Sequence, residues 1–452
     1  MLKIGIKLLL ILSCFTSQAY AEELQVHLST RAPLPPLYIS QVKTDPEQYD
    51  WRYFDELRSV LIFDLNISGH CTLVDPKPEW ENRFQWPDVK RNIDLTPWER
   101  QKIPFIVVPE MFEGKFCLVA FNVQKKTSKR YSGFDLTGKL EVDRKEIHRL
   151  ADALQRDLFG TQGVSSLRLI YTQRTRNPDP KGADWLSEVW VCDSDGANSA
   201  QITNEGSYCV SPGFLPGKAW GSDFFYVSYQ GGQSKIYRSS LKEPKAEPFV
   251  SLRGSQLLPA ISAKGSQIAF IADAAGRPDL FIQNVDPSGK MIGKARQLFS
   301  APRATQASPT FSPDGRQIAF VSDKDGPPRI YMMDVTTPKD TKRHIPHLLT
   351  KKNRENTSPT WSPDGKKLAY SAKTEGIRQI WIYDFETDEE KQLTSGPENK
   401  ENPSWAPDNL HLVYNTESDD ICELFLINLT QREPVLIAKG SGQKRFPSWE
   451  RR

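Results

Sequence analysis

Two acids and two histidines are the residues in this chain whose types and spacing could do chemistry. Glu355 and Glu401 each stand a few residues ahead of a recurring proline, and paired carboxylates can serve as acid and base at a glycosidic bond. His344-Ile345-Pro346-His347 offers two nitrogens to a metal, but the polar stretch around it supplies no obvious third ligand. No Gly-x-Ser-x-Gly elbow occurs, so the usual hydrolase nucleophile is missing. No Cys-x-x-Cys pair is present for zinc or redox work. Charged loops are most often solvated faces, so the expectation is a binding protein with no catalytic residues, no cofactor and no metal.

The elements that position these residues are set by an internal repeat. Ser308-Pro309-Thr310-Phe311-Ser312-Pro313-Asp314-Gly315 recurs as Ser358-Pro359-Thr360-Trp361-Ser362-Pro363-Asp364-Gly365 and as Asn402-Pro403-Ser404-Trp405-Ala406-Pro407-Asp408-Asn409. Each copy is followed by an apolar strand, a polar turn and a second strand, as in Ile318–Ser322 and Ile330–Asp334. Pro313 and Pro363 preset a turn, the aspartate bonds locally, and Gly315 and Gly365 supply positive φ. The leading prolines 212, 259, 309, 359 and 403 recur at intervals of 47, 50, 50 and 44 residues. That is the length of a four-stranded propeller blade. Leu167–Tyr171 and Val189–Asp193 begin a blade without a proline strand, and the chain closes on an orphan one, Phe446–Trp449. Joining the two ends gives six blades in a closed ring. The expected fold is mainly β: a six-bladed β-propeller with a small N-terminal α/β domain.

The N-terminus has Lys3 and Lys7, an apolar run from Leu8 to Phe15, and Ala19-Tyr20-Ala21 as a small-x-small site. This order predicts a secretory signal peptide over residues 1–21, cleaved after Ala21, and a periplasmic chain. Cys14 raises a lipoprotein variant, which Ile11-Leu12-Ser13 fits poorly. Of the 59 basic and 56 acidic residues, the leader removes two lysines, leaving a near-neutral protein. Such a balance carries no polyanion-binding signature, so nucleic acid and anionic membrane surfaces are not expected partners, and no later run is long and apolar enough for membrane insertion. Cys71, Cys117, Cys192, Cys209 and Cys422 remain, with buried free thiols expected and one or two disulfides as the alternative.

Residues 22–163 carry no repeat. Leu24, Val26 and Leu28 alternate with polar residues, as in a half-buried strand. Phe54, Leu57, Leu61 and Leu65 mark an amphipathic helix, and Phe105–Val108 and Phe116–Phe121 read as strands. A last helix is expected to start at Asp143, with Glu146 three residues on, and to stop at Gly160. The propeller is placed at residues 164–452.

A leader, an α/β domain and a Ser-Pro-Asp-Gly propeller together resemble the TolB family over nearly the whole mature chain. The junction Leu158-Phe159-Gly160-Thr161-Gln162-Gly163 before Leu169-Ile170-Tyr171 is the most specific match, with Asp64–Gly69, Thr72–Asp75 and Phe446–Trp449 beside it. The resemblance implies a non-enzymatic periplasmic adaptor of the Tol–Pal envelope system, active in outer-membrane integrity and cell division. Its implied partners are a Pal-like peptidoglycan-associated lipoprotein and a TolA-like inner-membrane protein, met by a monomer. It places TolA-like binding on Glu22, Glu23, Leu24, Gln25, Val26, His27, Leu28 and Ser29; that segment could equally complete the domain's own sheet. It places Pal-like binding on loops before the proline strands: Ser255, Gln256 and Leu258; Thr305, Gln306 and Ala307; Arg354, Asn356 and Thr357; Asn399 and Glu401. Some relatives carry histidine at the position of Ser255. A propeller hydrolase or a saccharide-binding envelope protein is the competing expectation.

Overall fold

The computed structural model describes residues 33–44, 50–84, 89–90, 93–179, 183–217, 222–274, 276–335, 345–419, 421–431 and 433–451. The expected leader and its cleavage site, the segment Glu22–Ser29, and His344 lie outside these residues.

The N-terminal domain is built on a five-stranded sheet. Its elements are β1 (Pro36–Ile39), α1 (Trp51–Asn66), β2 (Thr72–Val74), α2 (Pro78–Glu81), α3 (Thr96–Arg100), β3 (Phe105–Phe112), β4 (Lys115–Asn122), β5 (Thr127–Phe134) and α4 (Leu140–Phe159). The strand order is β2-β1-β3-β4-β5, with β1 parallel to both neighbours and the rest antiparallel. Period-two alternation gives the sheet two buried faces. Leu37, Ile39, Phe116, Leu118 and Ala120 pack under α1 and α4. Tyr38, Val119 and Phe121 meet Trp80, Phe84 and Trp98 on the other side.

The start of α4 is a correction. It begins at Leu140, after Lys139, so Asp143 lies inside the first turn and is no cap. Its carboxylate reaches back to accept from Thr137 N (2.9 Å), Gly138 N (3.3 Å) and Thr137 Oγ1 (2.8 Å), and also from Tyr53 Oη. Glu146 pairs with Arg149. The helix stops at Gly160 in the left-handed conformation, φ 71°.

Residues 168–449 form six four-stranded antiparallel blades. The proline strand is the innermost edge of every blade: Cys209–Phe214, Gln256–Ile261, Gln306–Phe311, Asn356–Trp361, Asn399–Trp405 and Gln443–Trp449. The last of these pairs with Arg168–Arg176, so blade one combines both ends of the propeller chain. Each proline sits in a bulge where pairing skips two residues or more, and the residue before it has positive φ. Ser211, Leu258, Ser308, Ser358, Asn402 and Phe446 all fall between 43° and 55°. The bulge absorbs the missing proline N–H at a strand edge. The following turn is held as its sequence requires: Asp314 Oδ1 accepts from Ser312 Oγ (2.6 Å) and Arg316 N (3.0 Å), with Gly315 at φ 73°. Trp405 reaches across to blade five, donating from Nε1 to Thr360 O at 3.2 Å.

The two domains meet at the turn end of the blades. Ile67, Val164 and Leu167 join Val413, Leu424, Leu426 and Trp449 in one apolar cluster. Asp152 on α4 accepts from Ser165 N (2.8 Å) and Ser166 N (3.2 Å), pinning the crossing segment. Ile67 O accepts from His411 Nε2 (2.6 Å) and Asn428 Nδ2 (3.0 Å). All five cysteines described are buried free thiols.

Candidate functional site

Strand direction alternates through each blade, so residues that precede the inner prolines gather at one channel mouth. The Pro-Asp-Gly turns and the joint to the N-terminal domain lie at the opposite end. Of the residues expected to bind at this mouth, Thr305 and Arg354 are exposed, while Ser255, Leu258, Ala307, Thr357, Asn399 and Glu401 are half-buried.

Gln256, Gln306 and Asn356 depart from the expectation of exposed loop residues. Each opens an inner strand and is buried. Gln256 Oε1 accepts from Ile236 N (3.2 Å), and its amide donates to Val250 O (3.2 Å) and Leu252 O (2.7 Å). Asn356 donates to Thr350 Oγ1 (3.1 Å) and Asn353 O (2.9 Å). Gln256 thereby ties its strand to blade two and the segment leading out of it, and Asn356 ties its strand to the segment leading out of blade four, where an unmade bond is costly. They stiffen the rim and do not face outward.

Arg378 organises the accessible part of the mouth. Its Nε lies 3.0 Å from Glu401 Oε1, its Nη2 3.6 Å from Glu355 Oε2, and its Nη1 donates to Thr357 Oγ1 at 3.3 Å. Asn399 Oδ1 accepts from Arg378 N at 2.8 Å, and Lys373 Nζ is 3.5 Å from Glu355 Oε1. One guanidinium therefore holds both carboxylates singled out as a candidate acid–base pair. Further round the rim Arg445 pairs with Glu417, whose carboxyl is pushed above its ordinary value by burial.

Sequence reading missed a second patch on the same mouth. The guanidinium carbons of Arg174 and Arg176 sit 4.2 Å and 3.9 Å from the Trp185 ring, and Tyr208 meets Tyr229 edge-on with centroids 6.0 Å apart. Arginine, tryptophan and tyrosine are the residues that dominate protein-binding hot spots. They come from blades one and two, which follow one another in the chain, and the packing of these two blades brings them together. His347 lies on an outer strand of blade four, away from this mouth.

Residues 156–452 match the PD40 family model, described as the TolB beta propeller domain. A TolB homolog from Protochlamydia amoebophila is 43% identical over 278 residues, 61% of this chain and 59% of that protein. One from Chlamydia pneumoniae is 34% identical over 287 residues, 64% of this chain and 61% of its own length. The chain thus spans about three fifths of the relatives it matches. The crystal structure of TolB from Acinetobacter baumannii superposes with a TM-score of 0.72, covering 93% of this chain and 98% of that one at 22% identity. That likeness concerns the fold.

Proposed function

This chain belongs to the TolB beta-propeller family, and from that premise we propose that it is a non-enzymatic periplasmic adaptor of the Tol–Pal system. It binds a Pal-like lipoprotein through the channel mouth that carries Arg378 and a TolA-like protein through residues 22–29. In this role it supports outer-membrane integrity and envelope constriction during division.

The observation that carries the reading is the build of the mouth. Arg378 clamps Glu355, Thr357 and Glu401 in place beside the Arg174–Trp185–Tyr208 patch. A pre-ordered polar rim beside aromatic and arginine anchors suits reversible recognition of a folded partner. The two acids lend no support to glycosidic chemistry, because they share one cation. Among the described residues no helix is long and apolar enough to cross a membrane.

Titration of the mature chain against the soluble domain of a Pal-like lipoprotein tests the proposal. Thr305→Arg and Arg354→Glu should weaken that binding at least tenfold, and deletion of residues 22–29 should spare it while removing TolA-like binding. Failure of the unmodified chain to bind either partner overturns the adaptor reading. A soluble saccharide bound at Trp185 would then move the saccharide-binding alternative ahead.

A further inference from the structure

We propose that the junction of α4 with the blade-one turn is a transition-metal site, with His148 Nε2, Asp193 and Asp195 as its protein ligands. One donor atom from each of these three residues lies within 4.8 Å of the others. The ligands of a tetrahedral site with bonds near 2.0–2.1 Å stand about 3.4 Å apart. Side-chain adjustments of about an ångström would close the cluster around an ion.

The histidine is set up for ligation. His148 is 2% exposed, and its Nδ1 lies 2.7 Å from Asp64 Oδ2, itself buried. A carboxylate beyond the ring fixes the N–H on Nδ1 and turns the lone pair of Nε2 away from it, as second carboxylates do for metal-bound imidazoles. That Nε2 has no hydrogen-bond partner, and Asp195 Oδ2 is 3.8 Å off. An orphaned ring nitrogen in so buried a place costs stability unless something occupies it.

The remaining charges explain how the site stays folded when empty. Asp193 and Asp195 face one guanidinium, that of Arg144, which bonds Asp195 and lies 3.6 Å from Asp193 Oδ2. Lys145 stands further out near Asp193, and Asn198 Nδ2 donates to Asp193 Oδ2 at 2.7 Å. Arg144 Nε is buried without a hydrogen-bond partner, so the arginine is an imperfect counter-ion. It lines an open groove of about 340 Å³ with Asp55, Glu56 and Ser59. The groove gives an ion its way in and gives Arg144 two other carboxylates to turn towards. One imidazole, two carboxylates and an open fourth position suit zinc better than calcium or magnesium, which favour all-oxygen shells. Bound there, zinc would staple α4 to blade one.

Calorimetric titration of the full mature chain with zinc should give one saturable site and a raised melting temperature. Arg144→Gln, which removes the competing cation, should tighten zinc binding about tenfold or more; Asp195→Asn should weaken it by as much. Should Asp195→Asn fail to fold, the visible d–d spectrum of the cobalt-loaded unmodified chain decides, since ligation by His148 and the two carboxylates gives bands that free cobalt lacks. No single-site binding in either the unmodified chain or Arg144→Gln sinks the proposal. So does undiminished binding by folded Asp195→Asn, or a cobalt spectrum equal to that of the aqueous ion.

Discussion

The imidazole of His411 in blade six donates through Nε2 to the carbonyl oxygen of Ile67, just past α1, at 2.6 Å. Its other nitrogen lies 2.6 Å from Asp408 Oδ2. Asn428 Nδ2 stands 3.1 Å from Nε2, but both nearer partners are acceptors, which favours the doubly protonated, cationic ring. The aspartate belongs to the third copy of the repeated turn, which here locks the two domains together as well as turning the chain.

This joint makes stability depend on pH. Burial lowers the His411 pKa and the Asp408 charge and hydrogen bond raise it; the net shift is upward. Half-buried His70, the other imidazole close by, is shifted down by burial. A raised folded value means that the His411 contribution is complete below the unfolded histidine pKa and is lost as pH rises through the folded one. Asp408 is shifted down, against burial, by His411. Its contribution is complete above the unfolded carboxyl value and is lost as pH falls through the folded one. Urea unfolding across pH should therefore show a mildly acid optimum that flattens in His411→Ala, at a cost of about 3 kcal/mol near pH 6. Identical pH profiles for the two proteins would count against the charged joint.

Ring closure is tested at Trp449, which is 2% exposed between blades one and six. Trp449→Ala should cost about 3–5 kcal/mol in urea unfolding. Removal of residues 446–452 should cost more, since it also unpairs Ser448 and Trp449 from Ile170 and Leu169. Unchanged melting on truncation would contradict closure through this strand.

Rim residues should separate into two groups. Gln256→Ala and Asn356→Ala strip hydrogen bonds from buried partners and should each cost about 1–3 kcal/mol of stability. Arg378→Ala breaks ion pairs that water partly screens, at no more than about 1 kcal/mol. Its effect should appear instead as weaker binding of a Pal-like domain by calorimetry. The reverse pattern would mean that the buried amides are the contact surface.

Gly69 has φ 73°, and a Cβ there would stand 2.2 Å from Asn428 Nδ2. Gly69→Ala should push Asn428 off the Ile67 carbonyl and loosen the domain joint. Hydrogen exchange should rise in the last turn of α1 while the sheets of blades three to five keep their protection. Uniform exchange throughout would show that the strain is absorbed elsewhere.

The blades were legible in the sequence because each carries the same turn chemistry at a nearly constant interval. The orphan Phe446–Trp449 announced closure for the same reason. The rim was legible only by position. Gln256 and Asn356 have polar side chains that suggest solvent, yet the first residue of the inner strand turns back onto the segment that leads out of the preceding blade. Arg378 lies on the third strand of blade five, with no signal that it would meet acids from the rims of blades five and six. Trp185 and Tyr208 come together around Arg174 only when blades one and two pack side by side. At α4 the pair Asp143 and Glu146 imitates a cap, whereas Asp143 works backwards on Thr137 from inside the helix.

Closure by the final strand also sets a timetable. Arg168 N and Glu450 Oε2, 3.1 Å apart, are 282 residues distant along the chain. Blade one therefore remains a fragment until its last strand has been synthesised, whatever the other five have done. Contacts this distant in sequence slow folding more than they weaken the finished fold. For a chain exported as proposed, the ring closes only once its last strand has arrived.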